Sequence, residues 1–301
     1  MASVGDQRLL AAAGREERPG ILPLFATTLL VSALLLFWVQ PMFSRMVLPA
    51  LGGSPAVWNT AMVFFQTALL GGYLYAHLVS RWLTLRRQMA LHLAFLTVAA
   101  LTLPIAIGPD WTPPTEGTPV LWLIALLAWC LGLPFLVVSS TAPLLQKWFA
   151  ASGHPAGCDP YFLYGASNLG SMLALLGYPL LLEPLLTLDR QNEAWALGYA
   201  GLAALVAICG LAVWRRPQAG DASQDASAAP GERTIGWGQR LHWLALAFAP
   251  SSLLLAVTAY ITTDLASVPL LWVVPLTLYL LTFVIVFARR PVLRHAWMVK
   301  A

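Results

Sequence analysis

Only 10% of the 301 residues are charged, so the groups able to do chemistry can be weighed one at a time. Arg45 stands in FSRMVLP, among long apolar runs, and Glu183 in LLEP and Asp264 in TTDLAS are the carboxylates placed to answer it. A charge in or beside hydrocarbon is costly unless paired, so each is a candidate site. Arg45 could hold an anionic group, pair with a carboxylate, or extend to lipid phosphate. Glu183 and Asp264, near the ends of apolar runs, suit a small cationic ligand. Asp264 also precedes an apolar run, where it serves equally as a helix cap. Glu183 closes a run instead, and the negative end of a helix disfavours a carboxylate, so a specific partner is expected for it.

Uncharged polar groups complete the set. Asn59 and Gln66 are seven apart and so share a helix face. Asn168 lies in YGASNLGS, beside Tyr164 and Ser167. Such residues either bond a neighbouring helix or line a pore, and both readings stay open. In the same run Gly165, Gly170, Ser171 and Ala174 allow close helix packing. His77 and His92 could meet across a loop, but no cysteine or carboxylate is near enough in sequence to complete a metal site. Cys130, Cys158 and Cys209 show neither a disulfide framework nor zinc spacing. No metal, cofactor or catalytic group is expected.

These groups are positioned by a chain that is 59% hydrophobic, far from the composition of a soluble domain. Basic residues flank apolar runs and form no separate basic domain, which argues against a nucleic-acid partner. Eight apolar runs can span a bilayer, at about 20–42, 57–80, 88–108, 119–141, 161–183, 193–214, 241–260 and 267–288. The expected fold class is therefore all-α, a polytopic transmembrane bundle of about eight helices. With the N-terminus inside, 15 of the 17 lysines and arginines fall on the inner side, leaving Arg45 and Arg190 outside. Both termini are then cytoplasmic. Trp58, Trp122, Trp195 and Trp272 fall near the outer starts of helices and read as an interfacial belt. Pro104, Pro134, Pro179, Pro250 and Pro275 are expected to break or kink helices. The stretch 43–66 reads as the outer turn between the first two helices, with Pro41 and Pro49 breaking the chain and Gly52-Gly53 turning it.

The organisation follows: a polar tail at 1–19, a six-helix bundle at 20–214, a flexible cytoplasmic linker at 215–240, two further helices at 241–288 and a basic end at 289–301. Six helices, an inner loop and more helices is the major-facilitator plan. Only two helices follow the loop, so the chain reads as partial.

FSRMVLPALGGSPAVWNTAMVFFQ, GGYLYAHL at 71–78, YFLYGASNLGSMLALLGYPLLLEP at 161–184 and YITTDLASVPLLWVVPLTLYLLTF at 260–283 resemble the membrane part of a bacterial family. Its members join a major-facilitator-like domain to a cytoplasmic spermidine-synthase-like domain. The resemblance implies an inner-membrane location and a synthase-like partner domain. It also implies a transporter-like role for a polyamine or related small cation, with Arg45, Asn59, Gln66, Asn168, Glu183 and Asp264 as candidate substrate contacts. The alternative is a membrane anchor or regulatory domain that does not transport. The glycine-rich nucleotide loop and acidic residues of an aminopropyltransferase are missing, so no enzyme activity is expected of this chain. The facilitator loop signature is also incomplete after the second helix. Arg81, Arg86 and Arg87 keep its basic end, but its aspartate and second glycine are missing.

Overall fold

A computed structural model describes residues 20–52, 54–108, 111–114, 119–158, 160, 162–214, 236–261 and 273–286. The described residues form eight α-helices. They are α1 Ile21–Leu51, α2 Pro55–Trp82, α3 Leu85–Ala100, α4 Val120–Ala150, α5 Phe162–Leu185, α6 Leu188–Trp214, α7 Trp237–Tyr260 and α8 Val273–Val286. Six of them, all but α3 and α8, are long and apolar enough to cross a membrane. The expected tail, linker and basic end lie outside the described residues, apart from the linker's last five.

The helices form because each is a long apolar run with few breakers, and their ends obey local rules. Gly52 closes α1 at φ 70°, a left-handed conformation that glycine adopts without strain. Ser54 then caps α2 by accepting from Val57 N–H at 3.4 Å, with Pro55 in the first turn. The turn thus falls between Leu51 and Pro55, and the outer turn expected over 43–66 is corrected: α1 runs through Pro41 and Pro49 to Leu51, and α2 starts at Pro55. Proline removes one backbone bond but does not end a helix whose neighbours pack both sides of it. Here Gln40 and Ser44 bond the Leu36 and Gln40 carbonyls around the proline. In α4 the helix likewise passes Pro134 and Pro143, reaching Ala150 rather than 141. Conversely, α3 stops at Ala100, before Pro104, eight residues short of the expected 108. The segment after it is tied to α6: Asn192 accepts from Ile105 N–H at 3.1 Å and donates to the Ile105 carbonyl at 2.6 Å.

Packing centres on α1 and α4, which touch each other. The long contact of α1 is with α5 and that of α4 is with α2; α1 also packs on α6, and α4 on α3. Exchanging α1 with α4, α2 with α5 and α3 with α6 reproduces these contacts. The two central helices are both 31 residues long and each holds two interior prolines. Glycine marks both long contacts. A Cβ at Gly170 of α5 would land on the Leu30 carbonyl oxygen of α1, and one at Gly72 of α2 would come within 2.9 Å of the Leu136 carbonyl oxygen of α4. Close approach of this kind is how helices associate where no hydrophobic force drives them together.

Trp195 corrects the expected belt. It is fully buried, and its Nε1–H donates to the Leu35 carbonyl of α1 at 2.9 Å. Trp272 lies outside the described residues. Beyond the six-helix core, α8 packs on α5, while α7 buries no residue.

Candidate functional site

Two polar regions and one uncovered face stand out. The first is the end of the bundle where α1 and α5 finish. The last turns of α5 widen into a π-helical stretch, Tyr178–Leu182, before Glu183. Such widened turns disturb the regular hydrogen-bond ladder and recur at functional sites. Arg45 Nη1 meets Glu183 Oε1 at 2.8 Å, and the two side chains keep 48% and 20% of their surface open. The guanidinium offsets both the carboxylate and the negative helix end that Glu183 would otherwise face alone. Gln191, 3% exposed, donates through Nε2 to the Leu186 carbonyl at 3.0 Å and the Leu182 carbonyl at 3.3 Å. It thereby ties the end of α5 to the start of α6, sharing the Leu182 carbonyl with the Leu186 N–H. Its Oε1 is buried with no partner among the described residues, as is the Tyr178 hydroxyl, which lies within electrostatic reach of both Glu183 and Arg45. An open recess of about 630 Å³ is lined here by Arg45, Glu183, Thr187 and Gln191 together with apolar residues.

The second region is buried between α2, α3 and α4. His92 is 0% exposed, and its Nε2 lies 3.2 Å from Thr141 Oγ1. Thr141 already donates to the Val137 carbonyl at 2.9 Å, so His92 Nε2–H is the donor and its Nδ1 is an acceptor. That Nδ1 has no partner among the described residues. Nor do the Tyr75 hydroxyl and Trp148 Nε1, whose rings lie 6.2 and 6.0 Å from His92, or Gln88 Oε1 one turn earlier. Four such atoms in one neighbourhood are the usual setting for internal water. The sequence offered no sign of this cluster. His92 was paired there with His77, which is exposed.

The third feature is the open side of α2. Asn59, Val63, Gln66, Leu70, Tyr73 and His77 are all exposed and recur every three or four residues, one continuous stripe. Asn59 and Gln66 therefore do share a face, and it is uncovered. Tyr73 lies within electrostatic reach of Tyr164 on α5. Asn168, one turn further, is half-buried and donates to the Tyr164 carbonyl at 2.8 Å.

Of the six candidate contacts, Arg45 and Glu183 are brought together at one end. Asn59 and Gln66 lie on the stripe, Asn168 stands on α5, and Asp264 lies outside the described residues. Among the described residues no three of His, Cys, Asp and Glu cluster as metal ligands would. Cys130 and Cys209 are buried free thiols, and Cys209 Sγ lies 3.3 Å from Thr28 Oγ1.

Fold and site together define a class: an all-helical bundle carrying the marks of a multi-pass membrane protein. No protein-family model matches the chain, and neither the curated proteins nor the solved structures contain a significant match.

Proposed function

We propose that this chain is the transporter-like membrane part of a protein resembling the fusions of a major-facilitator-like and a spermidine-synthase-like domain, and that it moves or senses a polyamine or related small cation. The observation that carries the reading is Gln66. It sits about 16 Å into α2, near the middle of a hydrocarbon core of about 30 Å, and it is exposed. An amide facing lipid at that depth is costly, whereas one lining a water-filled route is not. Asn59 and Tyr73 extend the route along the same stripe, and amide carbonyls and tyrosine rings are groups that receive a desolvated ammonium. The exchange of contacts between α1–α3 and α4–α6 supports a facilitator-like plan, in which inverted repeats of three helices build each half.

In this reading all eight helices cross the bacterial inner membrane, with both termini cytoplasmic and the Arg45–Glu183 pair at the outer mouth. The crossing of α3 is completed by the segment that Asn192 holds. A synthase-like domain is the cytoplasmic partner. Uptake of labelled spermidine into proteoliposomes tests the proposal: uptake by the unsubstituted chain and its loss in Gln66→Leu support it, and uptake unchanged by that substitution counts against it. One observation favours a non-transporting anchor instead. Glu183, the carboxylate offered for a cation, is already paired with Arg45.

A further inference from the structure

The recess at the end of α1 and α5 has a chemistry of its own. Arg45 lies 24 residues beyond Ile21, about 36 Å along α1, and Glu183 lies 21 beyond Phe162, about 31 Å along α5. With the other ends of these helices at one face of a core of about 30 Å, both charges emerge at the depth of the opposite headgroups. The ion pair meets through Nη1 and Oε1 at 2.8 Å. A guanidinium has five N–H donors and a carboxylate about four acceptor positions, so most of the capacity of each is left over. Among the described residues, the ion pair with each other is the one side-chain pairing shown for Arg45 and Glu183. Gln191, which lines the same recess, holds a buried Oε1 that has no partner among the described residues. Apart from Thr187, the rest of the lining is aliphatic, from Leu48 and Pro49 on one side to Leu185 and Leu188 on the other.

We propose that this recess is a binding site for a phosphoethanolamine-type zwitterion, a phosphate monoanion or diester joined to a primary ammonium. The phosphate lies on Arg45, whose fork suits phosphate oxygens. The ammonium donates to Glu183 Oε2 and, with a small movement of the side chain, to Gln191 Oε1. The ligand inserts beside the ion pair and uses the capacity that the pair leaves open. The aliphatic walls accommodate acyl chains when the zwitterion is a phospholipid headgroup. A choline headgroup fits poorly, because its quaternary nitrogen has no N–H to give. An anionic glycerol headgroup fits poorly because nothing in it answers Glu183. The inference does not need transport: it holds equally for an anchor.

The test uses the full chain, purified in detergent and stripped of lipid, titrated with phosphatidylethanolamine, its mono- and dimethylated forms, phosphatidylcholine and phosphatidylglycerol. Binding is read by native mass spectrometry and by the rise in unfolding temperature. The expected order is stepwise weakening with each methyl group, reaching about tenfold between ethanolamine and choline, the loss of a charge-assisted hydrogen bond. In Glu183→Gln the preference for ethanolamine over choline shrinks to about twofold or less. Free phosphoethanolamine is a separate arm. If it alone reproduces the stabilisation, the ligand is a soluble zwitterion; if only the lipid does, the source is the bilayer. Equal binding of the ethanolamine and choline lipids by the unsubstituted chain overturns the proposal without reference to any variant. So does a preference that survives intact in Glu183→Gln. Since uptake of spermidine is not measured here, failure of this site leaves the transport reading to its own test.

Discussion

The contact between Arg45 and Glu183 is short, 2.8 Å, but nearly half of the Arg45 side chain is open, so its strength is set by screening more than by distance. A double-mutant cycle of Arg45→Gln and Glu183→Gln, followed by thermal unfolding in detergent, is expected to give a coupling of about 1 kcal/mol, falling as salt is raised. This pair was the most legible feature of the site. An arginine expected on the side that holds few of them, and a glutamate at a helix end that disfavours it, each lacked a partner in sequence, and the fold supplies each with the other. Trp195 was not legible. A tryptophan near the start of a helix looks interfacial whether it faces headgroups or another helix, and only packing shows that α1 covers it. Trp195→Phe keeps most of the ring but loses the bond to the Leu35 carbonyl, and is expected to lower stability by about 1 kcal/mol in the same unfolding measurement.

At the scale of elements, the bundle is held by close approach at glycine. Gly170→Ala pushes a methyl group into the Leu30 carbonyl, where backbone rather than a flexible side chain must give way. The expected loss is about 2 kcal/mol, as for an overpacked core. Gly177→Ala is the control on the same helix: nothing lies within 4 Å of its added Cβ, so stability stays level or rises slightly. The small residues of α5 were visible in sequence as a means of close packing, but not the helix they meet, because spacing within one helix says nothing about its neighbour. The turn was legible where it depends on local chemistry, as at Gly52, and the helix end was misread where Pro41 and Pro49 were taken to break the chain. Pro41 is buried inside α1, and the side chains of Gln40 and Ser44 bond carbonyls around it, which only the packing reveals. Pro49 also lies inside α1, one turn before its end.

For the molecule as a whole, composition alone carried the class: a chain this apolar folds as helices long enough to cross a bilayer. Which faces remain open was beyond the sequence, since Asn59 and Gln66 share a face whether it is packed or bare. The orientation rests on the distribution of lysine and arginine. It predicts that Ala56→Cys, exposed at the turn between α1 and α2, reacts with an impermeant thiol reagent added outside intact cells, with the unsubstituted chain as blank. Reaction only after the cells are opened would reverse the assignment of sides. The central claim is that the stripe on α2 lines a route for a small cation. The most direct measurement is spermidine uptake into proteoliposomes by the unsubstituted chain and by Gln66→Leu, with the unfolding temperature of each recorded. The account predicts uptake by the first, its loss in the second, and an unfolding temperature in the second that is equal or higher. Equal uptake by both, or none by a correctly inserted unsubstituted chain, would contradict it.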